Sequence, residues 1–143
     1  MKDAMYLVRM YEPEADHRMI EEWAAGHGKV APPREFLPKL GVISKEVRDE
    51  TREDLAALWL YMDNSVGVCF AEHAIAKPGL SVKRAKRALL RALDCLRKLA
   101  GEMSYGVMLL HTPEGMARHL AKEGFHQAEK GLCGLWTIIK ENK

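Results

Sequence analysis

Pro78-Gly79 divides this chain at its most constraining point, because neither residue continues the element before it. Residues 66–75 ahead of the break form an apolar run that reads as a strand. Beyond it stands Ser81, a good N-cap, and then apolar residues recur at Ala88, Leu89, Ala92, Leu93, Leu96 and Leu99. That three-and-four spacing predicts a helix from about Val82 to about Ala100 with one buried face. Its first two turns carry Lys83, Arg84, Lys86 and Arg87, although a helix N-terminus is already partly positive and prefers acids. Each misplaced cation costs roughly 0.3–1 kcal/mol. Free backbone N–H groups ringed by cations form a cradle for phosphate. The other reading is a solvated basic face whose repulsion is screened by salt.

Composition sharpens that choice. The 143 residues are 48% hydrophobic and 29% charged, with net charge +2, enough for one ordinary domain over residues 1–143 with a real core. Between positions 77 and 98 lie Lys77, Lys83, Arg84, Lys86, Arg87, Arg91, Arg97 and Lys98 against Asp94 alone. The positive charge is therefore local, which favours a local anionic ligand over a generally sticky surface. Cys69, Cys95 and Cys133 are widely spaced, without a CxxC pair, and fit a reduced, cytoplasmic protein with buried thiols. No apolar run approaches a membrane span, and the start has no signal core.

Read along the chain, residues 5–11 form a first strand, and Glu12-Pro13-Glu14 opens a helix ending at Gly26. Ala15, Met19, Ile20, Trp23 and Ala24 line its apolar face. Residues 29–39 hold Pro32, Pro33 and Pro38 and read as a loop. A strand at 40–44, a polar turn at 46–54, strands at 55–62 and 66–75, and the basic helix follow. Residues 105–110 are a buried-type strand, Pro113-Glu114 opens a helix closed by Gly124, and a final strand covers 132–140. An antiparallel first half followed by two strand-helix crossovers implies an α/β fold: a mixed, mainly antiparallel sheet of about six to seven strands with helices on both faces. Trp23, Trp59, Trp136 and most methionines fall on element faces and read as core.

This order, with Glu12-Pro13-Glu14-Ala15-Asp16 after the first strand and Ala121-Lys122-Glu123-Gly124-Phe125 closing the last helix, resembles the GNAT acetyltransferase superfamily over nearly the whole chain. Residues 37–43 also look like small phage-encoded or prophage members. The resemblance implies acetyl-CoA, or CoA, bound at the break after the fourth strand, in contact with Ile75, Ser81, Val82, Lys83, Arg84, Ala85, Lys86 and Arg87. The family's Arg/Gln-x-x-Gly-x-Gly/Ala turn falls on Ser81-Val82-Lys83-Arg84-Ala85-Lys86, which holds no glycine. Arg84 and Lys86 then offer charge-assisted contacts where backbone contacts are hindered. The tyrosine that many members use to protonate the leaving thiolate is replaced by Leu120.

Acyl transfer needs a base for the amine proton. Glu72 and His73 sit where the family places one; strict alternation puts Cys69, Ala71, His73 and Ile75 on one face and Phe70, Glu72 and Ala74 on the other. His111, at the end of the fifth strand, is the third catalytic candidate, and each of the three has an ordinary surface or capping role as its alternative. His17, His27 and His126 read as surface positions. No spacing suggests a metal site. Segment 31–40 lies where the family binds its acceptor, here an unnamed small-molecule or peptide amine. Two rivals stay open: a non-catalytic, phage-related binding or structural module, and a nucleic-acid binder using helix 82–98, which lacks interleaved aromatic residues. The edges of the final strands suggest a homodimer.

Overall fold

The computed structural model describes residues 4–112 and 114–126. The chain divides into two compact units, Met1–Leu110 and His111–Lys143. The first contains β1 (Met5–Met10), α1 (Pro13–Gly26), β2 (Gly41–Arg48), β3 (Thr51–Met62), β4 (Val68–Ala76), α2 (Val82–Glu102) and β5 (Val107–Leu110). Strands β1 to β4 pair antiparallel in chain order, and β5 adds parallel to β4 after the α2 crossover. The sheet is mixed and mainly antiparallel, as the element order implies, with five strands among the described residues. The final strand expected at 132–140, with Cys133 and Trp136, lies outside them. In the second unit α3 (Glu114–Lys122) ends at Gly124, whose φ of +89° suits glycine, while Phe125 N–H bonds Leu120 O.

Each sheet face is covered by a different helix. Ile20 and Trp23 of α1 pack with Tyr11, Leu37, Ile43, Ala57 and Trp59. Ala88 of α2 packs on the opposite face with Leu55 and Ala56, flanked by Tyr6, Leu80 and Leu89. Trp59 is 1% exposed and meets the Tyr11 ring edge-on, centroids 5.1 Å apart. A side chain at Gly41 would collide with that indole, so the strand keeps glycine there. On α2 the buried residues are Ala88, Ala92, Leu93, Leu96 and Ala100, the stripe the periodicity predicts shifted by one at its end.

Three expectations change. The polar run 46–54 is not a turn: β2 continues to Arg48, β3 begins at Thr51, and only Asp49-Glu50 turn, with Asp49 at φ +54°. Its charges serve pairing, since Glu46 is buried beneath an arginine of α2. On α1, Ala15 is exposed whereas Asp16 and His17 are buried. Arg9 grips Asp16 through two bonds of 2.9 Å, and Tyr11 Oη lies 3.0 Å from His17 Nδ1, so buried polarity replaces the expected apolar residue. Met5, Met10, Met62 and Met103 are exposed rather than core.

Ser44 is fully buried under α2, and its hydroxyl has no hydrogen-bond partner among the described residues. An unpaired buried hydroxyl opposes folding. Ser44→Ala is therefore expected to leave stability unchanged or raise it by up to about 1 kcal/mol, read from urea unfolding midpoints.

At one edge of the five described strands, β1 is restrained by arginines. Tyr11 N–H bonds Gly41 O, so alternation turns the even-numbered backbone groups of β1 away from β2. Of these, Tyr6 O accepts from Arg91 Nε of α2 at 3.3 Å and Met10 O from Arg9 Nη1 at 3.4 Å.

Candidate functional site at the bulge of strand β4 and the start of helix α2

Strand β4 departs from regular pairing in its second half. Trp59 faces Glu72 and Ala57 faces Ile75, so Leu58 alone opposes both His73 and Ala74. His73 absorbs the extra residue at φ +61°, a left-handed conformation that costs a non-glycine residue roughly 1–2 kcal/mol. The bulge overturns the alternation expected from the sequence. Glu72 lies across from Trp59 on the α1 side, Ile75 packs with the α1-side core, and the His73 ring meets Tyr61, also on that side. Glu72, His73 and Ile75 thus share one face.

The Tyr61 and His73 rings are tilted by 58° with centroids 5.6 Å apart. Desolvation lowers the His73 pKa, opposed by the Glu72 carboxylate, even though more than a third of the residue is open to solvent. Desolvation and the same carboxylate raise the Tyr61 pKa. The lowered pKa favours the neutral imidazole, the form able to accept a proton. Tyr61 Oη donates to Phe36 O at 3.0 Å, fastening the proline-bounded segment at a single turn, Arg34–Phe36. Leu37, the next residue, is buried, while the Phe36 side chain is 71% exposed. Between α1 and residues 29–35 lies an open groove of about 650 Å³, with Glu14, His17, Arg18, Glu21 and Arg34 among its walls. His17 is buried rather than on the surface, while His27, whose Nε2 donates to Ala76 O at 2.7 Å, and His126 are exposed as expected.

Five residues of β4, from Glu72 to Ala76, extend past the last position paired with β5, Ala71 opposite Leu110. Pro78 then packs against Gly26 at the end of α1, Gly79 turns the chain at φ +85°, and Ser81 caps α2 by accepting from Arg84 N–H at 3.2 Å. No acid lies in the first turn of α2.

Three cations of α2 are engaged with the sheet. Arg84, Arg87 and Arg91, spaced three and four apart, form a stripe directed at β1 and β2. Arg84 reaches Glu46 at 2.9 and 3.2 Å and Glu53 at 3.5 Å, Arg87 interacts with the Tyr6 side chain, and Arg91 takes Tyr6 O. Lys77 completes the network on Glu53 at 3.0 Å. Glu46 is 6% exposed, and its hydrogen bonds from Arg84 outweigh its burial and hold its carboxyl below the usual range; Tyr6 Oη adds a bond of 2.8 Å. Sequence reasoning offered an external anion or salt screening to quiet these charges; the chain's own Glu46 and Glu53 do so for Arg84 and Lys77. Exposed Lys83 and Val82, with Ser81, remain at the helix entrance, and Lys86 sits one turn on.

His111 follows β5 directly and is exposed, but it is the first residue of the second unit; Leu120, in the same unit, is buried. Among the described residues, no group of three His, Cys, Asp or Glu is placed to hold a metal ion, and no helix is long and apolar enough to cross a membrane.

No family model and no curated protein sequence matches this chain. Solved structures do. The chain is similar to an acetyltransferase from Trypanosoma brucei, with TM-score 0.62 and 17% identity over 92% of this chain and 100% of the other. It is similar to an aminoglycoside acetyltransferase from an uncultured soil metagenomic sample, with TM-score 0.61 and 8% identity over 94% and 97%. A GNAT-family acetyltransferase from Streptococcus pneumoniae aligns with TM-score 0.55 and 13% identity over 97% and 100%. The fold is that of the GNAT acetyltransferases. At such identities the likeness is one of architecture, and chemistry must be argued from this chain's own residues. Within the GNAT frame, Tyr61, Phe36, Glu46 and Glu53 went unnoticed in the sequence. Only their pairing across strands marks them, and no local spacing carries that signal.

Proposed function

We propose that this GNAT-fold protein binds an acyl-CoA at the entrance of α2 and transfers its acetyl group to an amine at the β4 bulge. The carrying observation is that residues 72–83 join a bulged strand bearing Glu72 and His73 to a long helix that begins with cations and no acid. The N–H groups of Val82 and Lys83, the Ser81 hydroxyl and the Lys83 and Lys86 side chains would hold the diphosphate. Arg84 and Arg87 add field but are turned toward the sheet. Ile75, at the end of β4, and Ala85, in the first helical turn, would line the path. Without a glycine in the turn, side chains replace part of the close backbone contact.

The bound acyl-CoA supplies an activated thioester. Glu72 would draw in the acceptor ammonium, and neutral His73 would take its proton, freeing the nitrogen lone pair to attack the carbonyl carbon. As the C–N bond forms and the C–S bond breaks, the departing thiolate needs a proton. The attacking nitrogen sheds a second proton on acylation, and that proton goes to the sulfur.

Calorimetric titration with acetyl-CoA tests the reading. The expectation is a micromolar Kd, about −8 kcal/mol, weakened at least tenfold in Lys83→Glu/Lys86→Glu. That pair is chosen because Arg84 and Arg87 hold the fold. No heat at millimolar ligand overturns the proposal. Binding without thiol release across a panel of amines supports the non-catalytic module that Leu120 favours. A salt-sensitive shift of DNA or RNA would point to nucleic acid instead, against which the pairing of Arg84 with Glu46 and Glu53 argues.

A further inference from the structure

The β4 bulge leaves His73 in a backbone conformation that its own strand does not stabilise. A proton acceptor there is useful only if its ring is held still. Among the described residues, the side chain on which that ring rests is Tyr61 of β3. The same Tyr61 donates its hydroxyl to Phe36 O. Phe36 presents an exposed ring, while its neighbour Leu37 is anchored in the α1-side core. A single tyrosine thus bridges the proline-bounded segment and the bulged strand.

We propose that Tyr61 is a positioning residue: its ring fixes the His73 imidazole at the bulge, and its hydroxyl ties that ring to the segment bearing Phe36. This rests on the acetyl-transfer reading for its consequence, though not for its geometry. A ligand settling against Phe36 then acts on the same tyrosine that orients the base, so acceptor binding and proton transfer are coupled. The charged group that acts on the imidazole is Glu72 of the same strand, which favours imidazolium, while desolvation beside Tyr61 disfavours it.

The test follows the His73 ring protons by NMR across a pH titration, with the signal assigned by His73→Gln. Wild-type protein should show cross-relaxation between the Tyr61 and His73 rings and a midpoint below that of an ordinary histidine. Tyr61→Phe keeps the ring and loses the bond to Phe36. It should leave the midpoint in place and, in an active enzyme, raise the acceptor KM with little change in kcat. Tyr61→Leu removes the ring and should move the midpoint upward as water returns to the imidazole. An unchanged midpoint in Tyr61→Leu overturns the proposal. If that variant fails to fold, absence of the wild-type cross-relaxation overturns it equally. Because the NMR measurement needs no acyl-CoA, a moved midpoint in a protein that fails to bind acetyl-CoA retains the Tyr61–His73 coupling and discards acetyl transfer.

Discussion

Glu46→Ala is expected to lower unfolding free energy by about 3 kcal/mol, near the lower end of the range for breaking a buried ion pair from one side. The lower end applies because Arg84 is partly exposed and keeps Glu53. Tyr6 also loses its acceptor, and α2 loses the contact that fixes its first turn to β2. For a chain of this length the change corresponds to a melting temperature lower by roughly 10 °C. The pH dependence has a definite sign. Hydrogen bonds from Arg84 depress the Glu46 carboxyl in the folded state, so its contribution is complete above the ordinary glutamate value and is lost as pH falls through the folded one. Asp16 behaves alike: burial opposes its ionisation, but the bonds from Arg9 prevail. Urea unfolding between pH 7 and pH 3 should therefore show stability falling on the acid side, with a shallower fall in Glu46→Ala. An unaltered acid limb would remove Glu46 from the account.

Trp59→Ala should be more damaging, at about 4 kcal/mol. The side chain is fully buried between Tyr11 and the α1-side core, and it lies against Gly41, whose missing Cβ makes room for it. Its removal leaves a cavity that β2 and β3 cannot close, because Leu55 and Ala56 of β3 pack on Ala88 of α2 and Glu46 of β2 pairs with Arg84 on the opposite face. The indole N–H has no partner among the described residues, so no hydrogen bond is forfeited and the whole loss is packing. With domain stabilities commonly about 5–15 kcal/mol, this variant should unfold at markedly lower denaturant and lose near-ultraviolet ellipticity. Trp59→Phe should recover about half of the loss. Equal effects of the two substitutions would show that ring volume is not what matters there.

Periodicity and punctuation carried the helices, since α2 and α1 begin and end close to where Ser81, Pro13 and Gly26 place them. The strands were legible where they are apolar and illegible where they are charged. Residues 46–54 look like a turn because the partners of Glu46 and Glu53 stand on α2, far along the chain. The faces of Glu72 and His73 were misassigned for a related reason. A bulge is a property of two strands in register, and the sequence of β4 alone contains no sign that Leu58 will oppose two residues. The basic run was visible, but the pairing of Arg84, Arg87 and Arg91 with Tyr6, Glu46 and Glu53 across the sheet was not. The final strands, and the dimer contact expected of them, lie outside the described residues.

The arginines on β1 bear on how the protein behaves in company. A strand at the rim of a sheet is an adhesive surface, ready to template a neighbour's backbone and so to seed fibrous growth. Here Arg91 and Arg9 occupy the carbonyls of Tyr6 and Met10, so an incoming strand finds acceptors already taken and a positive charge in its way. The same side chains that fasten α2 and α1 to the sheet therefore protect a concentrated solution of the protein from growing by edge-to-edge addition at that rim.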